Sequence, residues 1–360
     1  MSTKHYRTCP LCEATCGLEL TVDEEGIVKV IRGDRDDVFS AGFICPKGTT
    51  LGKLHSDPDR LRTPMLRRRR GDARGELVEA TWEEAFAAVE SGLARIRGEH
   101  GNDAVAVYLG NPNAHGHTGP IFARPFIKSL GTRNIYSAST VDQMPRHVSC
   151  GLMFGKPLSI PVPDLDRTDY LLMLGANPLE SNGSLCTAPD FPGRLERIIG
   201  RGGKVVVVDP RRTRTADAAS EHLSIRPGTD ALFLAALANA IVADGAVAPG
   251  RAGEFADGLE RACDAVAPFT PEAVEAATGI DAEATRRIAA ELAAAPSAAV
   301  YGRIGVHTTP FGTLASWAAD LLCLITGNLD REGGAMWPAP AHSAEPLEPG
   351  GRGYRTGRWN

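Results

Sequence analysis

Two short runs, Gly17-Leu-Glu-Leu-Thr-Val22 and Ile27-Val-Lys-Val-Ile-Arg32, alternate apolar and polar residues on either side of the turn Asp23-Glu-Glu-Gly26. Period-two alternation around an acidic glycine turn predicts a β-hairpin. Pro58 and Pro64 then mark a boundary. Thr81-Trp-Glu-Glu84 has the form of a capping box, and Trp82, Ala85, Phe86, Val89, Leu93 and Ile96 follow at helical spacing. Ala104 to Leu109 reads as a strand running into the loop Gly110-Asn111. Farther on, Tyr170 to Leu174, Lys204 to Val208 and Ala298 to Tyr301 are apolar enough for buried strands. Asp230 to Ala243, Ala282 to Ala295 and Phe311 to Ile325 read as helices. Short strands separated by helices predict an α/β architecture with parallel sheets. After Gly334 the chain is rich in proline and glycine and has no periodic pattern.

The 360 residues are enough for two or three packed domains, and 43% hydrophobic with 23% charged residues is ordinary for a globular protein. A net charge of -5 gives no reason to expect nucleic acid or an anionic membrane as a partner. The basic run Arg67 to Arg70 is too short to make a binding face. No apolar run approaches the ~20 residues of a membrane span. The first residues contain neither a hydrophobic signal region nor paired arginines, so a cytoplasmic location is expected. Four of the eight cysteines lie in the first 45 residues, while Cys150, Cys186, Cys263 and Cys323 are scattered singly. That is not the pattern of a disulfide-stapled secreted domain.

The clustered four read Cys9-Pro-Leu-Cys12-Glu-Ala-Thr-Cys16 and, beyond the hairpin, Cys45-Pro-Lys-Gly48. Three thiolates on one tight loop can wrap a metal centre, and the hairpin can return the fourth. Four soft thiolates suit zinc or an iron–sulfur cluster. A zinc ribbon pairs two short knuckles, so the three-plus-one distribution favours a cubane, with zinc as the alternative. The motif resembles the cluster module of the bis-molybdopterin guanine dinucleotide oxidoreductases, which include formate dehydrogenases, nitrate reductases and dimethyl sulfoxide reductases. The resemblance implies a 4Fe–4S cluster on Cys9, Cys12, Cys16 and Cys45, and a Lys47 that bridges the cluster and one pterin.

The resemblance continues in order along the chain. Gly131-Thr-Arg-Asn-Ile135 matches a family run, and aligning it together with Pro145 puts Asp142 at the position that binds molybdenum or tungsten. A carboxylate is a hard donor suited to a high-valent metal. The structural alternative for Asp142 is an N-cap or turn residue. Cys150 falls too late for the ligand position and reads as a small core residue. Gly175-Ala-Asn177-Pro178, extended by Ser181 and Asn182, resembles the loop that approaches the cofactor pyrophosphate, where a glycine allows close backbone approach. In Asp209-Pro-Arg211-Arg-Thr213 the resemblance puts Asp209 on ribose hydroxyls, with Arg211 and Thr213 facing phosphate or guanine. Arg226-Pro-Gly228-Thr-Asp230 would put Asp230 on the guanine edge, and Thr326-Gly-Asn328 resembles a helix-ending segment counted among the cofactor contacts.

The expected fold is therefore α/β: a small N-terminal iron–sulfur β module followed by Rossmann-like parallel-sheet α/β domains, without the family's C-terminal barrel. The expected divisions are 1–60 for the cluster module, 61–135 for a first α/β segment and 136–296 for the dinucleotide-binding domain. Residues 297–360 are expected to return to the second domain and end in an irregular tail. The implied function is two-electron redox of a small-molecule substrate at molybdenum or tungsten, with electrons passing through a molybdopterin guanine dinucleotide to the cluster. An electron-transfer protein and a C-terminal half or second subunit are the implied partners. The same fold also serves as a non-catalytic iron–sulfur subunit, and a hydratase of this scaffold typically has cysteine at the metal position. Gln143 stands where the formate dehydrogenase branch has a histidine, and no thiolate precedes it, which weakens formate as the substrate. His115, His117 and His147 read as loop or packing histidines.

Overall fold

Strand β1 (Thr3–Thr8) pairs antiparallel with β2 (Gly17–Val22), which pairs antiparallel with β3 (Val28–Gly33), so the expected hairpin gains a third strand at its edge. This computed structural model describes residues 2–68, 75–110 and 118–338. His115, His117, Arg69, Arg70 and the tail beyond 338 lie outside the described residues. The chain forms two compact units, residues 1–138 and 139–360.

In the first unit β4 (Met65–Arg67) and β5 (Leu77–Glu79) form an antiparallel pair, and β6 (Val107–Leu109) pairs in parallel with β7 (Ile135–Ser137). The helix Trp82–His100 starts where its cap requires. The Glu84 N–H donates to Thr81 Oγ1 at 3.2 Å, and the Thr81 N–H donates to a Glu84 carboxylate oxygen at 2.9 Å. Its apolar stripe is not covered: Trp82, Phe86 and Val89 are each more than half exposed. The helix Thr118–Leu130 likewise leaves Ile121, Phe122 and Phe126 more than half exposed. Amphipathic periodicity thus matches where these segments are helical, while among the described residues nothing covers these side chains.

The second unit is built on a parallel sheet of order β11-β10-β9-β12, comprising β9 (Tyr170–Leu174), β10 (Lys204–Val208), β11 (Glu221–Leu223) and β12 (Ala298–Gly302). Leu171, Met173, Val205, Val207 and Ala299 face one core with the helix Phe191–Gly200. Leu172, Leu174, Val206, Val208 and Val300 face the other, with Asp230–Ala243 and Gly312–Ile325. Burial on both faces is why β9 and β10 are uninterrupted apolar runs rather than alternating ones. A short antiparallel pair, β8 (Val162–Pro163) with β13 (Ala335–Met336), closes the unit.

The sheet corrects one expected boundary. Residues from 297 do not leave for the earlier domain, because β12 pairs in register with β9 from Ala298↔Tyr170 to Gly302↔Leu174. The helix Gly312–Ile325 then packs into the same core. Among the described residues no helix is long and apolar enough to cross a membrane.

Candidate cofactor site

Cys9, Cys12 and Cys16 lie on the loop between β1 and β2, which is held closed by the Cys9 N–H donating to the Cys16 carbonyl at 2.8 Å. Thr15, with a φ of 46°, takes the left-handed turn that tightens this loop. The fourth cysteine returns through a folded segment after β3. There the Asp37 carboxylate accepts from the Ser40 N–H and hydroxyl at 2.6 and 2.8 Å, and Ser40 Oγ accepts from the Gly17 N–H at 3.0 Å. Gly17 is required at this point, since a Cβ would stand 2.5 Å from that of Asp37. Cys45 then precedes the short helix Pro46–Thr49, which exposes Lys47.

Cys9, Cys12 and Cys16 gather in one small cluster with Leu18, Leu20 and Ile31, and Cys45 lies near enough for its charge to act on Cys9 and Cys16. Burial pushes Cys9 up and Cys16 up to about 11, and in both cases the neighbouring Cys12 and Cys45 add to the rise. Thiols that repel one another when ionised need cationic metal to hold them as thiolates. Four cysteine sulfurs on one loop and its returning segment are a soft donor set that fits a cubane, which presents a separate iron to each thiolate.

The second site lies where β9, β10 and β12 end at the same edge of the parallel sheet, the edge where such folds bind nucleotides. Gly175 follows β9 with a φ of 53°. The expectation was that its lack of a side chain lets backbone approach phosphate. The structure gives another reason: a Cβ would stand 2.7 Å from Gly305 Cα, and the Gly305 N–H donates to the Gly175 carbonyl at 3.0 Å. Asn177 precedes the turn Pro178–Ser181, and its side-chain oxygen accepts from the Thr215 hydroxyl at 2.7 Å, locking this loop to the one after β10. Ser181 is exposed, and Asn182 takes a left-handed φ of 61°. After β10, Asp209 accepts from the Arg211 N–H at 2.8 Å, and Arg211 is exposed. Thr213 is buried and caps the helix Arg214–Asp217 by accepting from the Ala216 N–H at 3.1 Å. Gly228, with a φ of 83°, faces open space. Asp230 is buried at the start of its helix; burial, with Asp209's charge adding, raises its carboxyl to about 6.

Thr326 and Asn328 are not brought to this edge. Asn328 is 1% exposed, its oxygen accepts from the Ala298 N–H at 3.0 Å, and its amide donates to Thr326 Oγ1 at 2.9 Å. Ala298 begins β12, so the pair sits a full strand length from the cofactor loops, roughly 13 Å at strand rise. Both residues tie the helix end to the sheet, and their reading as cofactor contacts is corrected accordingly.

Asp142 ends the short helix Ser139–Asp142. Its main-chain carbonyl accepts from Arg303 Nη1 at 3.1 Å and from His307 Nδ1 at 2.8 Å. Arg303 directly follows β12, which brings Asp142 to the same edge as the Gly175 and Asp209 loops. Burial lowers the His307 imidazole to about 4, leaving it neutral, and a carbonyl acceptor requires the proton on Nδ1. Arg303 Nη2 also donates to Ser184 Oγ at 2.5 Å. The segment is fixed again one turn later, where Arg146 makes a buried two-point pair with Asp320 at 2.5 and 2.8 Å. His147 spans the Pro157 carbonyl and the Gln143 side chain at 3.0 and 3.3 Å, and Cys150 is fully buried, so both serve packing. Arg303, His307, Ser184 and the Arg146–Asp320 pair were not singled out from sequence. The usable signal was Gly302-Arg303-Ile304-Gly305 directly after an apolar strand, the same setting as the other two loops.

Residues 60–342 match the family model described as molybdopterin oxidoreductase, and residues 3–56 match the molybdopterin oxidoreductase Fe4S4 domain. Formate dehydrogenase H of Escherichia coli is 28% identical over 91% of this chain and 45% of its own length. The F420-dependent formate dehydrogenase 2 subunit alpha of Methanococcus maripaludis is 27% identical over 92% of this chain and 47% of its own. Nitrate reductase of Symbiobacterium thermophilum is 28% identical over 91% and 44%. The chain thus spans about half the length of these relatives. Acetylene hydratase from Pelobacter acetylenicus shares the fold, with a TM-score of 0.77 at 22% identity over 93% of this chain and 45% of that one.

Proposed function

Since the chain belongs to the molybdopterin oxidoreductase family, with a 4Fe–4S cluster and molybdopterin bearing molybdenum or tungsten as its cofactors, we propose that it carries out two-electron redox of a small substrate at a metal held by Asp142. The observation that carries this reading is the gathering of Asp142, the Gly175–Asn182 loop and the Asp209–Thr213 loop at one edge of one parallel sheet. When bound, the metal and its pterin supply the two-electron chemistry. The protein's residues hold and shield it. Asp142 offers a carboxylate oxygen, Asn177, Ser181, Asn182 and Arg211 line the approach for pyrophosphate, and Asp209 and Gly228 leave room for ribose and base. Cys9, Cys12, Cys16 and Cys45 hold the cluster, and Lys47 stands one turn beyond for electron passage. Gln143 in place of a histidine argues for a substrate other than formate.

The relatives' greater length and the uncovered apolar residues Trp82, Phe86, Ile121 and Phe122 support a partner segment or subunit that completes the first unit. An electron-transfer protein is the other expected partner, and a cytoplasmic setting suits both. The shortness of the match also favours a second reading, an iron–sulfur subunit without pterin. Metal and nucleotide analysis of anaerobically purified protein separates the two. About four irons with molybdenum or tungsten and releasable guanine nucleotide supports the enzyme. Four irons alone supports the subunit, and zinc without iron sinks both.

Asp230 allows a sharper test. A guanine edge offers N–H donors and so favours the ionised carboxylate, whereas burial holds Asp230 protonated up to about pH 6. Nucleotide binding must therefore release a proton below that pH. Affinity for guanosine diphosphate, measured by calorimetry, is expected to rise by up to about tenfold per pH unit between pH 5 and 6 and to level above. Asp230→Asn is expected to flatten that profile. The same raised carboxyl makes the ligand-free fold lose stability as pH climbs from about 4 toward 6, because the native state binds the extra proton.

A further inference from the structure

Two arginines of the second unit, Arg146 and Arg303, are almost wholly buried, and the fold treats them differently. Arg146 meets the Asp320 carboxylate through both of its terminal nitrogens. Arg303, 3% exposed, donates only to neutral acceptors, the Asp142 carbonyl and the Ser184 hydroxyl, and lies beside the neutral His307 imidazole without bonding it. Its Nε is buried without a hydrogen-bond partner, and among the described residues it forms no ion pair. A guanidinium taken out of water without a counter-charge is costly, and such a charge is kept where a ligand supplies the missing anion. Its place is specific. It follows β12, grips the main chain of Asp142 and reaches the end of the Asn177–Ser184 loop, so it touches both segments read above as binding the metal and its pterin.

We propose that Arg303 is the positive counter-charge and positioning residue of the Asp142 centre: it fixes the segment that aims the carboxylate and balances the anionic metal–pterin group bound there. The inference rests on the reading of Asp142 given above. His307 supports it by donating to the same carbonyl from the opposite nitrogen-bearing side chain, so that two donors set one peptide plane. A guanidinium bonded to the segment that would hold the metal would favour the more reduced, less positive state. Removing it lowers the reduction midpoint, and loosening the Asp142 peptide changes the coordination geometry that the one-electron-reduced metal reports in its paramagnetic resonance spectrum.

The test uses the natural full-length or assembled protein, purified anaerobically, with Arg303→Gln, Arg303→Lys and His307→Asn. Metal content, melting temperature, the Mo(V) or W(V) resonance spectrum and the midpoint potential are read for each. Arg303→Gln is expected to lower the midpoint and alter the spectrum. Arg303→Lys should recover most of the midpoint through its charge, but not the spectrum, because an ammonium cannot span both Asp142 and Ser184. His307→Asn should alter the spectrum and leave the midpoint nearly unchanged. Arg303→Gln with wild-type spectrum and midpoint overturns the proposal. So does equal loss of metal and of melting temperature in Arg303→Gln and Arg303→Lys, which marks a purely structural role. A wild-type protein holding neither molybdenum nor tungsten sinks the underlying reading of Asp142, and this proposal with it; a loaded wild type with unchanged variants sinks the proposal alone.

Discussion

Cys9→Ala is expected to empty the N-terminal module of iron and to unfold it, while the second unit keeps its cooperative thermal transition. The reason lies in how little else holds residues 3–56 together. The buried apolar residues of that module are Cys9, Ala14, Cys16 and Leu18, and half of them are the thiols proposed to hold the cluster. A core of that size does not stabilise a three-stranded sheet by itself, and small metal modules draw their folding free energy from the bound centre. Iron and sulfide analysis, loss of the visible absorbance of the cluster, and protease cleavage between β1 and β3 measure the effect. Cys263→Ala, a half-buried cysteine outside the module, is the control and is expected to keep its full iron content. Retention of iron and protease resistance by Cys9→Ala would remove the thiolate cage from the reading.

The second large effect is on stability. Arg146 and Asp320 are both buried, and burial pushes the Asp320 carboxyl up while the facing guanidinium opposes the rise. Asp320→Ala leaves the guanidinium uncompensated inside the protein, which costs about 3–5 kcal/mol. For a unit of this size that corresponds to a melting temperature lower by roughly 6–20 °C. The double variant Arg146→Met with Asp320→Leu removes both charges and is expected to regain most of the loss, since apolar replacements of a buried pair are often neutral. Differential scanning calorimetry of the two variants decides it; equal losses in both would mean that packing volume, not charge, is what the pair contributes.

Much of this was legible from the chain alone. Apolar runs such as Tyr170–Leu174 and Lys204–Val208 could only be strands covered on both faces, and Thr81 with Glu84 fixed a helix start through local hydrogen bonds. The cysteine spacing was informative because loop and hairpin are also local. What could not be read were pairings made only by the folded sheet. Arg303 meets Asp142 across 161 residues and Arg146 meets Asp320 across 174, and neither leaves a periodic trace. For the second pair the hint was a lone aspartate inside Ala318-Ala-Asp-Leu-Leu-Cys323, since an acid there must have a buried partner. Thr326 and Asn328 were misread for a related reason: a motif gives the order of loops along the chain, but not which end of a strand each one joins.

The contact between Gly175 and Gly305 has a kinetic consequence. Two backbones touching without side chains, joined by a hydrogen bond of 3.0 Å, leave no slack for one loop to open while the other stays. Local opening at this edge must then be concerted, and the Gly175 and Gly305 amides should exchange with deuterium at a common rate, set by one opening free energy for both. A ligand that seats against either loop would slow exchange in both, so the edge responds to its occupant as a single hinge-free block.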